Sequence, residues 1–252
     1  ASPATLDTWT TDVFENFGRS LAELILLRGR HRKALLDRVE VGGLEHLEAA
    51  ERESATGGVL VVTAHYGNWE LAGVKIASLG IPLSAIHRGL SVPVLDRALS
   101  SIRSGDERAP LDYEQIKMGN AGLRLVRTLE AGRKVLVLLD QNARREEGVF
   151  VSFFGRPTSV RTGPVRLATE RGIPVLPAFI CRDANGLDQR IQIHPPLRLE
   201  RGPSDDEETE RRNLARISAE IEAQIRRDPG QWIWTHRRWR TQPIAEDQAS
   251  PP

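Results

Sequence analysis

The sequence contains a single cysteine, Cys181, among 252 residues. That excludes an internal disulfide and any metal site built on several thiolates, and it suits a reducing compartment. Net charge is equally scarce. With 35 Lys and Arg against 34 Asp and Glu, the formal charge is +1, so no global field singles out nucleic acid and any cationic site must be local. No apolar run approaches the roughly 18 residues of a membrane span, and no signal peptide opens the chain. The chain starts ASPATLDTWT without an initiator Met, and a segment ahead of it is expected to have been removed. Several motifs are missing too. There is no G-x-S-x-G elbow for a serine hydrolase, no P-loop or Rossmann glycine signature, and no H-E-x-x-H helix for zinc. No metal and no organic cofactor are expected.

What is present is an ordinary globular composition, 40% hydrophobic and 27% charged. The length suits one α/β domain spanning residues 1–252. Apolar residues from Leu6 to Leu36 recur at helical spacing. GGVLVVTAH then reads as a buried strand ending near His65, and NWELAGVKIASLG as a helix capped by Asn68 and stopped by Gly80. The alternation continues. PLSAIH is a strand and PVLDRALSSIRSG a helix; Asn120 caps AGLRLVRTLEAG, and KVLVLLD is a strand. GPVRLATERG is a helix, followed by strands in VLPAFICR and RIQIHPPLRL. An acid-led helix runs from about Asp205 to Arg227, with arginines in its last turn as the helix dipole favours. Residues 244–252 read as a disordered tail. Alternating elements of this kind predict a single α/β domain with a central, largely parallel sheet flanked by helices.

The sharpest local signal is VVTAHYGNWELAG, in which His65 closes a strand and Glu70 follows in the first turn of a helix. Ligands of open α/β sheets bind at the carboxyl ends of strands. A carboxylate at a helix start stays ionised, and it could hold one imidazole nitrogen while the other takes a proton from a substrate hydroxyl. The spacing alone is equally compatible with a strand end beside a helix-end charge. Near the C-terminus, Trp232, Trp234 and Trp239 interleave with Arg237, Arg238 and Arg240. That pattern suits a bilayer interface, stacking on single-stranded nucleic acid, or simple packing of the domain end.

AHYGNWELAG resembles the H-x4-E block of the lipid A late acyltransferases. Three further blocks agree in the same order: IHRGLSVPVLDRALSSIR with Arg88, LLDQNARREEGVFVSFFGRPTSVRTGPVRLA with Asp140 and Gln141, and PGQWIWTHRRWRTQP. Together they cover about residues 12 to 243. The resemblance implies a glycerolipid-acyltransferase-like fold and transfer of a fatty acyl group from an acyl-carrier protein or acyl-coenzyme A thioester to a hydroxyl of a phosphorylated glycolipid such as a lipid A precursor. Other (phospho)lipid acceptors, a mannolipid, glycerolipid or aminolipid, are the alternative. It also implies that His65 is the general base, that Glu70 orients it, and that Arg88 and Arg161 grip acceptor phosphate. Asp140 and Gln141 are likewise expected at the substrate, Asp140 being required either to hold an arginine or to position a substrate amine or hydroxyl. Thr162 and Gly163 open a helix whose free amides suit an anion, though capping explains the pair equally well. Arg237 and Arg238 of the closing block are also expected at the substrate. A membrane surface is an expected partner and nucleic acid is not. The family's N-terminal membrane anchor is expected to be missing here, and the place of action to be the cytoplasmic face of the bacterial inner membrane. The rival from another class is a binding module built on the basic aromatic tail.

Overall fold

The computed structural model describes residues 2–106, 109–118, 121–201 and 206–244. The expected Asn120 cap, Asp205 and the tail from 245 onward lie outside the described residues. In order the chain forms α1 (Pro3–Leu26), α2 (Arg32–Asp37), β1 (Val39–Gly42), α3 (Leu44–Glu53), β2 (Val59–Thr63), α4 (Trp69–Ser78), β3 (Leu83–His87) and α5 (Pro93–Ser104). A small pair, β4 (Gly105–Asp106) and β5 (Ala109–Pro110), leads to β6 (Tyr113–Lys117), α6 (Ala121–Glu130) and β7 (Lys134–Leu138). The hairpin β8 (Gly148–Phe153) and β9 (Arg156–Arg161) follows, then α7 (Gly163–Glu170), β10 (Val175–Arg182), β11 (Gln189–Ile193) and α8 (Glu207–Arg227).

Seven strands make one sheet in the order β1-β11-β10-β2-β7-β3-β6. Its neighbours are parallel except for β10 with β11, so the largely parallel α/β sheet expected from the alternation is the one observed. β2 lies at the centre and shows why its apolar run was legible. All five residues are buried, and the period-2 pleat sends Leu60 and Val62 to one core and Val59 and Val61 to the other. The first core is closed by α6, α7, α8 and the hairpin, the second by α1 to α5.

Several expectations are corrected. The single helix expected from Leu6 to Leu36 is two, broken at residues 27–31 around Gly29. β1, α3 and β6 occupy stretches too polar to read as elements. β1 and β6 are the sheet's two edges, where a strand needs little apolar character. The β8–β9 hairpin turns on Phe154 and Gly155, both in the left-handed region at φ 52° and 72°. That is the backbone a two-residue hairpin turn requires, and Phe is an unusual residue to supply it.

Candidate active site

Register brings the central pair together. β2 and β7 are adjacent and parallel, with Thr63 opposite Leu138. Two residues beyond each strand stand His65 and Asp140, 75 positions apart in sequence and side by side at the carboxyl edge. Asp140 Oδ1 accepts the Nδ1–H of His65 at 2.8 Å. Its Oδ2 accepts the backbone N–H of His65 and the Nε1–H of Trp232, each at 2.8 Å. Burial alone would push the Asp140 carboxyl up. The positive charge available on His65 and the bonds from His65 and Trp232 outweigh it, holding Asp140 below the usual carboxylate range. An ionised carboxylate can only accept, so the proton sits on Nδ1 and a lone pair faces outward from Nε2.

His65 keeps 22% of its side-chain surface whereas Asp140 keeps 2%, so the imidazole alone reaches solvent. Its Nε2 accepts from the Nε2 amide of Gln141 at 3.1 Å. Gln141 is exposed and can swing aside for a hydroxyl. Trp69 stands edge-on to the imidazole, with ring centroids 5.0 Å apart. A narrow apolar cavity of about 50 Å³ lies beneath Trp69, between Ala72, Gly73 and Ile76 of α4 and Val61 and Ile180 of the sheet.

Glu70, expected to orient His65, is bonded elsewhere in this structure. Both carboxylate oxygens of Glu70 are taken by Arg103 of α5, Nε donating at 2.8 Å and Nη2 at 2.6 Å. The helix start behaves as read, with the Asn68 side chain accepting from Leu71 N–H at 3.1 Å. The carboxylate itself faces another helix.

Five residues expected at the substrate do meet. Arg88, Gln141, Arg161, Thr162 and Gly163 line one cleft of about 800 Å³ at the carboxyl ends of β3 and β7. Arg88 is exposed and makes no ion pair among the described residues. Arg161 is held by Glu147 at 2.7 Å. The Thr162 side chain makes no capping bond, so capping by that hydroxyl does not account for it; Pro164 removes one of the free amides at this helix start, leaving that of Gly163.

The closing basic aromatic segment divides. Residues 231–233 lie antiparallel to the His65 turn, Gly67 N–H bonding the Gln231 carbonyl at 2.9 Å and Ile233 N–H the His65 carbonyl at 3.1 Å. Trp232 is buried and bonded to Asp140, so it belongs to the site rather than to a surface patch. Arg238, expected at the substrate, is 1% exposed. Its Nη1 donates to the carbonyls of Gln141 at 2.6 Å and Ser159 at 3.0 Å, and its guanidinium lies over Phe153. Burial lowers its pKa to about 10, leaving it charged at neutral pH as an anchor for the Gln141 loop. His236 acts likewise, its Nε2 accepting the Asn142 N–H at 2.9 Å; burial, chiefly, holds its pKa below the usual imidazole value and so keeps that lone pair. Arg237 and Trp234 remain exposed.

Fold and site define an α/β domain with a strand-end histidine and carboxylate pair joined through Gln141 to a cleft that holds Arg88 and Arg161. The chain belongs to the bacterial lipid A biosynthesis acyltransferase family, whose model matches residues 8–241. It is similar to the phosphatidylinositol mannoside acyltransferase of Mycobacterium tuberculosis, with 30% identity over 196 residues, 73% of this chain and 57% of that protein. The lipid A biosynthesis palmitoleoyltransferase of Escherichia coli is 28% identical over 82% of this chain and 63% of its own. The lipid A biosynthesis lauroyltransferase of the same organism is 26% identical over 91% and 71% respectively. The chain thus spans about 57% of the length of the mycobacterial relative.

Proposed function

We propose that this chain is the catalytic domain of an acyltransferase that moves a fatty acyl group from a carrier-protein or coenzyme A thioester to a hydroxyl of a phosphorylated glycolipid. The observation that carries the reading is the His65–Asp140 pair, held by Trp232, with Nε2 of His65 bonded to Gln141, which lines the cleft that also holds Arg88 and Arg161. His65 Nε2 takes the proton as the acceptor oxygen attacks the thioester carbon, and the Asp140 carboxylate stabilises the imidazolium. Collapse of the tetrahedral adduct breaks the C–S bond, and the imidazolium returns the proton to the leaving thiolate. A thioester already carries an activated acyl group, so this route needs no metal or cofactor. Arg88 and Arg161 suit a phosphate, since a guanidinium offers paired donors. On this reading the acceptor is presented at the cytoplasmic face of the inner membrane.

A lipid A precursor is the first acceptor proposed. A mannolipid is the second, favoured by the named activity of the mycobacterial relative. Mass spectrometry of products from acyl carrier protein and acyl-coenzyme A donors, offered each acceptor in turn, separates these outcomes. Transfer should vanish in His65→Ala while the protein stays folded. A folded His65→Ala that keeps more than about a tenth of wild-type turnover contradicts a general-base role, which typically contributes about 10²- to 10⁴-fold.

A further inference from the structure

The lone pair that the proposed base would use is not open in this structure. Asp140 fixes the proton of His65 on Nδ1, so Nε2 can only accept, and the Gln141 amide must turn its nitrogen toward it. That contact, at 3.1 Å, is the one side-chain hydrogen bond of Gln141 among the described residues. The backbone beneath it is fixed. The Gln141 carbonyl accepts from Arg238 at 2.6 Å, Asn142 N–H donates to His236 at 2.9 Å, and the Asn142 side chain donates to Thr241 Oγ1 at 2.9 Å. A held backbone that carries an exposed side chain with a single partner can move by side-chain torsions alone. Gln141 also lines the cleft with Arg88 and Arg161, so a ligand seated there meets its amide. Such a ligand can offset the lost bond with contacts of its own, whereas a water molecule brings none.

We propose that Gln141 is a specificity-determining residue: its amide closes the His65 base to water and yields to an acceptor held in the cleft, so that the acyl group reaches the acceptor rather than being hydrolysed. The inference rests on the acyl-transfer reading. In the reaction it suppresses, a water oxygen attacks the thioester carbon while His65 Nε2 takes its proton. The C–S bond then breaks and the imidazolium returns the proton to the thiolate, leaving a free fatty acid and a thiol. An uncharged donor suits the role. One neutral hydrogen bond biases an equilibrium by about twofold to tenfold, enough to hold back water. A charged donor at this position would bond about twice as strongly and shut the base against the acceptor as well.

Two measurements test this. With lauroyl-coenzyme A or lauroyl-carrier protein and no acceptor, Gln141→Ala should release thiol and free fatty acid about fivefold faster than wild type. With a sub-saturating lipid A precursor or mannolipid present, the ratio of hydrolysis to transfer should rise by a similar factor. Damage to the fold slows both reactions, so faster hydrolysis is a result that a merely structural role does not produce. Hydrolysis unchanged or slowed in a Gln141→Ala protein with a near-native melting temperature overturns the proposal. If that variant does not fold, Gln141→Met, which keeps the length of the side chain and lacks the donor, is read by the same criterion. The second measurement needs no turnover. Diethyl pyrocarbonate reacts with a free imidazole lone pair, and peptide mass spectrometry should find His65 modified about fivefold faster in Gln141→Ala than in wild type, with the exposed His31 unchanged. Equal rates at His65 contradict the proposal even if no thioester is ever cleaved. A wild-type protein that neither transfers nor hydrolyses, yet shows this modification pattern, keeps the closed base and refutes the acyl-transfer reading alone.

Discussion

Arg88 and Arg161 face the same cleft from two strand ends, but they start from different states. Arg88 is unpaired among the described residues and Arg161 is bound to Glu147. A phosphate therefore meets a ready guanidinium in Arg88, whereas Arg161 must share or exchange its carboxylate. Arg88→Ala should raise the acceptor KM about tenfold or more, and Arg161→Ala should do so less, with donor KM unchanged in both. Removing the acceptor's phosphate should make the Arg88 substitution nearly silent. An equal penalty with both acceptors would show that Arg88 does something other than hold phosphate. At this scale His65 and Asp140 were legible separately, each as the polar residue that closes an apolar run. Their partnership was not, because it depends on β2 and β7 being neighbours in the sheet, which no local spacing encodes. The nearer Glu70 drew the assignment by proximity in sequence. The carboxylate bonded to His65 lies 75 residues away.

Elements rather than single contacts hold the Gln141 loop. The closing strap from Gln231 to Thr241 passes under it, and Arg238 supplies bonds to carbonyls on the loop and on β9. Arg238→Met keeps the length of the side chain and removes those donors, leaving the Gln141 carbonyl to find a partner while that of Ser159 keeps the Ala143 N–H. Such a group costs about 1–3 kcal/mol when unsatisfied. The variant should lose stability of about that size in urea unfolding, and transfer should fall because Gln141 and Asp140 are adjacent in the chain. Unchanged stability would mean water replaces the guanidinium. The sequence showed these arginines as a cationic surface stripe because an arginine buried against backbone carbonyls reads no differently from a solvated one. The same limit explains β1, α3 and β6, whose side chains are too polar to announce an element and whose strands are completed by their neighbours. The long, strongly alternating elements were legible from period and punctuation alone.

Taken as a whole, the molecule has one face that its own core does not explain. α1 turns Glu23 inward, paired with Arg182 and bonded to Asn68 just beyond the His65 turn. Its other side exposes Phe14, Phe17, Leu21 and Ile25 at helical spacing, with Phe14 63% and Ile25 74% exposed. No helix among the described residues is long and apolar enough to cross a membrane. An amphipathic helix lying in a lipid interface needs no such length. On the proposed membrane acceptor, the chain should co-sediment with anionic vesicles, and part of that binding should survive about 0.5 M salt, where attraction between exposed charges is screened. Phe14→Glu combined with Ile25→Glu should abolish the salt-resistant part without lowering the melting temperature. Binding lost completely at high salt in the wild-type chain would assign association to surface arginines alone. The sequence carried this amphipathic pattern. Which side of it faces the core required the Glu23–Arg182 pair.

On the proposed reading Asp140 is the carboxylate that orients the His65 base and stabilises its imidazolium, and kcat for Asp140→Asn is the decisive measurement. The carboxylate is held below its usual range and so remains ionised through neutral pH. An amide can still bond His65 and Trp232 but cannot stabilise an imidazolium. With saturating donor and acceptor, kcat should fall by about 10²-fold or more, the acidic limb of its pH profile should move to lower pH, and both KM values should stay close to wild type. A folded Asp140→Asn enzyme with kcat within about tenfold of wild type and an unmoved profile would contradict the account.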